Sequence, residues 1–221
     1  DTRIKKENEM KKYLFITAAV LMLSLNAQQK IGAIKAGMFF PQACDGGFDL
    51  GIEYGLHIDT NLDVSLSLDW FKKEFEDKDA KGEYEEIPGL TADQLVKLSE
   101  TTIYDFPLMV SVTAKFPFTD KIKWFATGGL GAEMLYASYN TFDGDELDEK
   151  SELAFDFNWR LGGGAIYNLG QRSEVFGEIV YHYSKPSYEY EDEISGTEYT
   201  LEREYDMSGI MSRLGVRFFF N

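Results

Sequence analysis

Apolar and polar residues alternate strictly along residues 46–71, which read GGFDLGIEYGLHIDTNLDVSLSLDWF. The apolar positions run from Phe48 to Ile58 and, after a short polar interruption, from Leu62 to Trp70. A period of two places successive side chains on opposite faces of a strand. The stretch therefore predicts two strands, each with one apolar and one polar face, joined by a tight turn.

The same period recurs to the end of the chain, and helix-period stripes are nearly absent. Eight strands are predicted, at residues 31–40, two within 46–71, then 104–118, 122–140, 153–169, 174–185 and 208–220. Short turns alternate with three long segments, which are residues 73–102, 141–152 and 185–206. This layout is typical of an outer-membrane barrel. The predicted fold is all-β: an eight-stranded antiparallel up-and-down transmembrane β-barrel with short periplasmic turns and longer extracellular loops.

The N-terminal region has its own pattern, in which two lysines precede an apolar run and a small-residue end, MKKYLFITAAVLMLSLNA. That order is typical of a secretory signal peptide, and the apolar run is too short for a membrane-spanning helix. The predicted organisation is upstream residues at 1–9, a signal peptide at 10–27 and one barrel domain at 28–221. The predicted location is the outer membrane of a Gram-negative bacterium.

Charge distinguishes the two predicted rims of the barrel. The chain carries a net charge of −16, and the three long segments hold 23 acidic and 7 basic residues, so they account for the whole excess. Clustered carboxylates suit hard divalent cations, although the spacing is not that of an EF-hand. One acidic cluster is therefore a candidate calcium site, at Asp143, Asp145, Glu146 and Asp148. Simple solvation of these acids is the alternative, and a nucleic-acid partner is not expected.

The polar face of the strands mixes small residues with charges of both signs. Opposite charges can satisfy each other inside a narrow lumen, so this face is predicted to form an ionic network there. The predicted members are Lys35, Asp49, Glu53, Asp63, Asp69, Lys115, Lys123, Glu133, Asp156, Arg160, Glu178, Arg213 and Arg217. An interior filled by side chains does not favour an open pore.

The apolar face carries essentially no charge, as expected for a surface in lipid. Its aromatic residues sort to the two ends of the strands, as the two interfaces of a bilayer favour. The predicted belts contain Trp70, Phe116, Trp124, Tyr136, Phe155, Phe157, Tyr167, Tyr181, Tyr183, Phe218 and Phe220.

Two other functional classes fit parts of the pattern. A periplasmic lipocalin-like carrier would bury the apolar face around an apolar ligand and expose the charges. A lipid-modifying enzyme would need a nucleophile, a base and an acid, and His182 with Ser184 and Glu178 is the candidate set, because His57 lies at the other end of the barrel. We expect no enzymatic activity and no cofactor, and a monomer is the default.

Three stretches carry a resemblance to known proteins. Residues 103–136 (IYDFPLMVSVTAKFPFTDKIKWFATGGLGAEMLY), 155–184 (FDFNWRLGGGAIYNLGQRSEVFGEIVYHYS) and 212–220 (SRLGVRFFF) resemble small OmpA-like outer-membrane β-barrel families. The resemblance implies insertion by the outer-membrane assembly machinery and contact with outer-membrane lipid. It favours a structural or surface-interaction role, with divalent cations or an extracellular ligand as possible partners of the acidic loops.

Overall fold

The computed structural model describes residues 29–76, 100–143, 146–194 and 197–220. These residues form ten strands: β1 (Gln29–Pro41), β2 (Gly47–Asp59), β3 (Leu62–Glu76), β4 (Glu100–Pro117), β5 (Ile122–Asp143), β6 (Glu146–Asn168), β7 (Ser173–Tyr183), β8 (Ser187–Ile194), β9 (Thr197–Glu204) and β10 (Gly209–Phe220). Among them, no helix has the length and apolar character that crossing a membrane requires. The predicted signal peptide lies outside the described residues.

Eight of the strands close into a barrel in the order β1-β10-β7-β6-β5-β4-β3-β2. Every neighbouring pair is antiparallel, and β1 closes the barrel on β10 from Lys30 opposite Phe220 to Pro41 opposite Gly209. The eight-stranded antiparallel barrel predicted from the sequence is therefore confirmed. Strands β2–β3, β4–β5 and β6–β7 are joined at one end, which we call the short-turn rim, and β1–β2, β3–β4, β5–β6 and β7–β10 are joined at the other end, which we call the long-loop rim.

Two of the predicted loops are largely strand, so this part of the prediction is wrong. Strands β5 and β6 stay paired from Ile122 opposite Tyr167 out to Asp143 opposite Glu146, which covers most of segment 141–152. Segment 185–206 contains β8 and β9, which form a separate two-stranded sheet. Alternation of apolar and polar residues marks a strand with one buried face. In β8–β9 the apolar positions of one face, such as Tyr190 and Leu201, are interrupted by Asp192 and Arg203. The signal is therefore weak, although the backbone pairs in the same way.

Burial follows the alternation of the sequence, with charged side chains inside and apolar ones outside. Along β2, Asp49 is fully buried whereas Ile52 is 59% exposed, and along β10 Arg213 is buried whereas Leu214 is 73% exposed. A soluble carrier would show the reverse arrangement. The lipocalin-like alternative is therefore wrong, because the apolar face lies on the outside of the barrel.

Candidate functional site

The barrel interior contains a continuous set of buried charges, which we call the ionic layer. Its members are Lys35, Asp49, Glu53, Asp63, Asp69, Asp105, Lys115, Glu133, Arg160, Glu174, Glu178, His182, Arg213 and Arg217. All of them occupy inward positions of the alternating strands, and each is at most 8% exposed. Buried charges at this density are tolerable only if they are paired and hydrogen-bonded.

Arg213 lies at the centre of the ionic layer. Its Nε donates to Glu178 Oε1 at 2.7 Å, and its Nη1 lies 3.1 Å from Asp69 Oδ1 and 3.3 Å from Asp49 Oδ2. A side chain at position 51 would collide with the Asp69 carboxylate, so glycine there leaves room for this contact. One guanidinium thus connects strands β2, β3 and β7 from β10.

Arg217 forms a second centre nearer the short-turn rim. Its Nη1 contacts Glu174 Oε1 at 2.8 Å and Asp63 Oδ2 at 3.4 Å, and its guanidinium lies 5.0 Å from the centroid of the Phe176 ring. Lys115 Nζ contacts the same Asp63 oxygen at 2.6 Å, and His57 Nδ1 lies 2.5 Å from the other oxygen. Asp63 is therefore shared by three partners.

Arg160 and His182 form a third centre nearer the long-loop rim. Arg160 Nε donates to His182 Nδ1 at 3.0 Å, so His182 Nε2 carries the proton that it donates to Glu133 Oε2 at 2.6 Å. Arg160 also pairs with Asp69, and Asn158 Nδ2 donates to Glu133 at 3.1 Å. Both ring nitrogens of the histidine are occupied by structural partners.

Between this centre and the long-loop rim, the interior of the barrel becomes apolar. The apolar layer consists of Phe39, Phe71, Ile103, Leu135, Ala137, Ala154, Val180, Tyr188, Tyr205, Met207 and Met211. The Phe39 ring packs edge-on against Phe71 at 5.2 Å and against His182 at 5.6 Å, so the two layers are in direct contact. Tyr188, Tyr205 and Met207 come from the region of β8 and β9, which therefore closes over the mouth of the barrel.

A small cavity lies within the ionic layer. It has a volume of about 20 Å³ and lies among Lys35, Arg160, Arg213 and Arg217. This is the volume of roughly one water molecule.

Most of the predicted network residues lie in the ionic layer, but two do not. Lys123 is half-buried next to the first residue of β5, and Asp156 is half-buried and accepts a hydrogen bond from the backbone N–H of Lys185 at 2.8 Å. Sequence reasoning missed Asp105 and Glu174, which are both buried. Each falls on the inward phase of its strand, so the alternation itself was the signal that could have found them.

The candidate catalytic set is not assembled by the structure. His182 contacts Glu133 and Arg160, whereas Glu178 contacts Arg213 and, at 3.8 Å, Lys35. Ser184 is fully buried. The three side chains predicted as nucleophile, base and acid thus belong to separate contacts.

The predicted belt aromatics lie on the outside of the barrel. Ten of them are exposed by 38% to 65%: Trp70, Phe116, Trp124, Tyr136, Phe155, Phe157, Tyr167, Tyr181, Phe218 and Phe220. Tyr183 is half-buried because its ring stacks on Trp159, with centroids 5.6 Å apart. Near the short-turn rim, Trp124 stands opposite Phe116 and packs against Phe118.

Ion pairs secure the base of the β8–β9 hairpin. Lys185 Nζ lies 3.2 Å from both Glu204 Oε1 and Asp206 Oδ2, and hydrogen bonding to Glu204 and then to Asp206 raises the pKa of Lys185. Partial burial alone would raise the pKa of Asp206, but hydrogen bonds from Ser208 and the nearby Lys185 ammonium outweigh it and lower that pKa. The charged forms of both groups are thus favoured at neutral pH.

The first connection at the long-loop rim pairs with the chain entering β10. Gln42 N–H donates to the Ser208 carbonyl at 3.0 Å, and Ala43 N–H donates to the Asp206 carbonyl at 2.8 Å. Cys44 follows and packs on the apolar layer, where burial raises its pKa to about 12. This thiol is therefore protonated at neutral pH.

The candidate calcium residues lie at the tip of the β5–β6 hairpin. Asp143 ends β5, directly opposite Glu146 at the start of β6, and Asp148 stands opposite Thr141. Asp145 lies outside the described residues. Among the described residues, no group of three His, Cys, Asp or Glu side chains is placed to hold a metal ion.

Several solved structures resemble this fold. A major outer membrane protein of Thermus thermophilus matches with a TM-score of 0.61 and 16% identity, over 88% of this chain and 100% of that chain. Neisserial surface protein A (NspA) matches with a TM-score of 0.50 and 12% identity, over 87% and 96%. The N-terminal barrel domain of Pseudomonas aeruginosa OprF gives 0.44 and 11%, over 87% and 98%.

No curated protein gives a significant match to this chain. A family model described as the outer membrane protein beta-barrel domain matches residues 15–218. That match covers nearly all of the sequence and reaches into every strand of the barrel. This chain belongs to the outer membrane protein beta-barrel domain family, and it is a protein of the outer membrane.

Proposed function

We propose that this protein is a surface-interaction protein in which a filled barrel anchors acidic β-hairpins at the outer surface of the membrane. The ionic layer supports this role, because side chains such as Arg213 pair with several strands and give the hairpins a firmly connected base. Strands β5 and β6 continue beyond the barrel, and β8 with β9 forms a second hairpin. The barrel thus presents two ribbons whose acids lie at fixed backbone positions.

The register of the hairpins is the observation that carries the proposal. In β8–β9, Glu189 stands directly opposite Glu202 and Glu193 directly opposite Glu198. In β5–β6, Asp143 stands opposite Glu146. Like charges in directly opposed positions destabilise a strand pair. Repeated pairs of this kind are expected where an external cation balances them.

Calcium is the cation that best suits these positions. It takes six to eight oxygen ligands in flexible geometry, so one opposed pair of carboxylates can bind it if water supplies the remaining ligands. Sites of this open kind on extracellular modules bind with dissociation constants of about 0.1 to 1 mM. Binding would neutralise the ribbons and allow them to bridge to other anionic surface groups.

The test is protease protection of the refolded full chain in detergent, with and without calcium. Half-maximal protection of the region 187–204 is expected at about 0.1 to 1 mM calcium. The variant Glu189→Gln with Glu202→Gln removes one opposed pair and should abolish the protection. The matched control Glu191→Gln with Asp192→Asn removes two acids that stand opposite Thr200 and Tyr199, so it should retain most of it.

Unchanged cleavage at about 1 mM calcium would contradict the cation role. Equal loss of protection in both double variants would mean that bulk charge, rather than the opposed pairs, attracts the ion. Neither outcome affects the membrane fold. Folding of the barrel is checked separately by comparing the electrophoretic mobility of unheated and heated samples in sodium dodecyl sulfate.

A further inference from the structure

The outer face of the barrel is not uniform, because a groove of about 850 Å³ crosses it on the short-turn half. The groove extends over β5, β6, β7, β10 and β1, and its lining is almost wholly apolar. Its volume lies within the range of about 300 to 1,000 Å³ that is usual for binding pockets of small molecules. A depression of this size on a lipid-facing surface needs an occupant.

Small residues in matched register create the groove. Ala165 on β6 stands opposite Gly177 on β7, Gly177 stands opposite Leu214 on β10, and Leu214 stands opposite Ala36 on β1. The missing side-chain volume on β6, β7 and β1 lowers the surface there. Leu214, which is 73% exposed, stands within this row and reaches over Gly177, and Ile34, which is 62% exposed, lines the groove beside it.

The length of the groove corresponds to one leaflet. Along β10 it runs from Phe218 to Leu214, which is about 13 Å at the usual rise of a strand. The apolar band of an outer-membrane barrel is about 25 Å tall, so one leaflet contributes about half of that. Because such strands tilt by about 35 to 45°, this span corresponds to about 10 Å of depth, which is most of the leaflet at the short-turn rim.

Cationic side chains stand at the end of the groove where a headgroup would lie. Lys121 immediately precedes Ile122, which lines the groove, and the Arg172 carbonyl accepts a backbone hydrogen bond from Phe219, next to Phe218. Lys121 and Arg172 are both exposed, and among the described residues neither takes part in an ion pair. The two turns that carry these cations contain one carboxylate, Asp120, whereas the β2–β3 turn carries Asp59 and no cation.

We propose that this groove is a binding site for one phospholipid with an anionic headgroup. The acyl chains lie over Ala165 and Gly177, and the headgroup phosphate meets Lys121 and Arg172. The apolar lining accommodates the acyl chains, and the positive charge of Lys121 and Arg172 favours an anionic headgroup. This site is independent of the acidic hairpins, which lie at the opposite rim.

The experiment is native mass spectrometry of the full chain refolded with equal amounts of phosphatidylglycerol and phosphatidylcholine of the same chain length. The protein should retain one phosphatidylglycerol in preference to phosphatidylcholine. Ala165→Leu fills the groove and should weaken that retention about tenfold. The matched control Ala132→Leu adds the same volume at an exposed outer position of β5 outside the groove and should leave retention unchanged.

A second pair of variants tests the headgroup. Lys121→Gln with Arg172→Gln should reduce the preference for phosphatidylglycerol by about threefold, as expected for two exposed charge contacts. Lys72→Gln with Lys150→Gln removes two exposed cations near the long-loop rim and should not change it. The electrophoretic mobility of unheated samples in sodium dodecyl sulfate shows whether each variant is folded.

Three results would overturn the proposal. Equal retention by the Ala165→Leu and Ala132→Leu variants would mean that the groove holds no specific lipid. Equal retention of both lipids by the unmodified chain would remove the anionic headgroup from the assignment. A dimer that is lost only in the Ala165→Leu variant would identify a second copy of the chain as the occupant.

Discussion

The ionic layer and the apolar layer occupy the same lumen, on inward positions of the same strands, yet their chemistry is opposite. Phe39 and Lys35 are both inward residues of β1, and Phe71 and Asp69 are both inward residues of β3. Period-two alternation decides only which side chains point inward. The position along the barrel axis decides whether an inward side chain lies in the ionic layer or in the apolar layer.

The two layers also fill the narrow barrel in different ways. The apolar layer excludes water and depends on shape, so its stability comes from close packing. The ionic layer depends on each charge having partners, and removal of one partner leaves others buried and unpaired. The two layers should therefore respond differently to substitution.

The largest effect is expected at Arg213. Arg213→Leu leaves Asp49, Asp69 and Glu178 without their shared cation and should lower the free energy of unfolding by about 3 to 5 kcal/mol. Arg213→Lys keeps the charge but not the forked geometry, so it should lose less. Urea unfolding in lipid vesicles measures the difference, and a Leu variant as stable as the Lys variant would contradict the role of the ion pairs.

Phe71→Ala should have an effect of comparable size. The side chain is fully buried in the apolar layer, and truncation of such a residue costs about 3 to 5 kcal/mol through lost burial and a cavity. Because Cys44 packs on the same layer, its reaction with iodoacetamide should become faster in this variant. A destabilised variant with unchanged thiol reactivity would show that the apolar layer still shields Cys44 without Phe71.

Glu178→Gln should have a smaller effect than Arg213→Leu, although the two side chains are partners. Within the described interior, eight carboxyl groups share the ionic layer with five Lys and Arg side chains. Removal of one carboxylate therefore leaves Arg213 with Asp49 and Asp69, and the amide still offers an oxygen. The expected loss is about 1 kcal/mol. A loss equal to that of Arg213→Leu would mean that the layer has no surplus of acid.

The smallest effect is expected from acid at the hairpin base. The pKa of Asp206 is lowered in the folded state, so its contribution is present above the ordinary carboxyl pKa of about 4 and is lost as the pH falls through the lower folded value. Acid should therefore remove the contribution of Asp206 to the hairpin base without unfolding the barrel. Comparison of the unmodified chain with Asp206→Asn at each pH cancels the pH dependence of pepsin and of the other acids of the hairpin. Pepsin should cleave the region 187–204 of Asp206→Asn faster at about pH 4, and this difference should disappear at about pH 2.

Sequence reasoning was most successful where one face of a strand is buried and least successful beyond the barrel. The alternation from Phe48 to Trp70 predicted the strands and their faces because burial imposes it. The hairpin β8–β9 was taken as a loop because Asp192 and Arg203 interrupt its apolar face and acidic residues dominate the other face. Asp105 and Glu174 were missed although both lie on the inward phase of their strands, which the alternation marks.

The sequence by itself determined the barrel, the inward and outward faces and the acidic rim, because each follows from the local period and from composition. Only the tertiary structure decided which charges share partners, where the interior changes from ionic to apolar, and where small residues on β6, β7 and β1 align into a groove. These features depend on register between strands that are distant in the chain. Register is fixed by closure of the whole barrel, and no single segment contains that information.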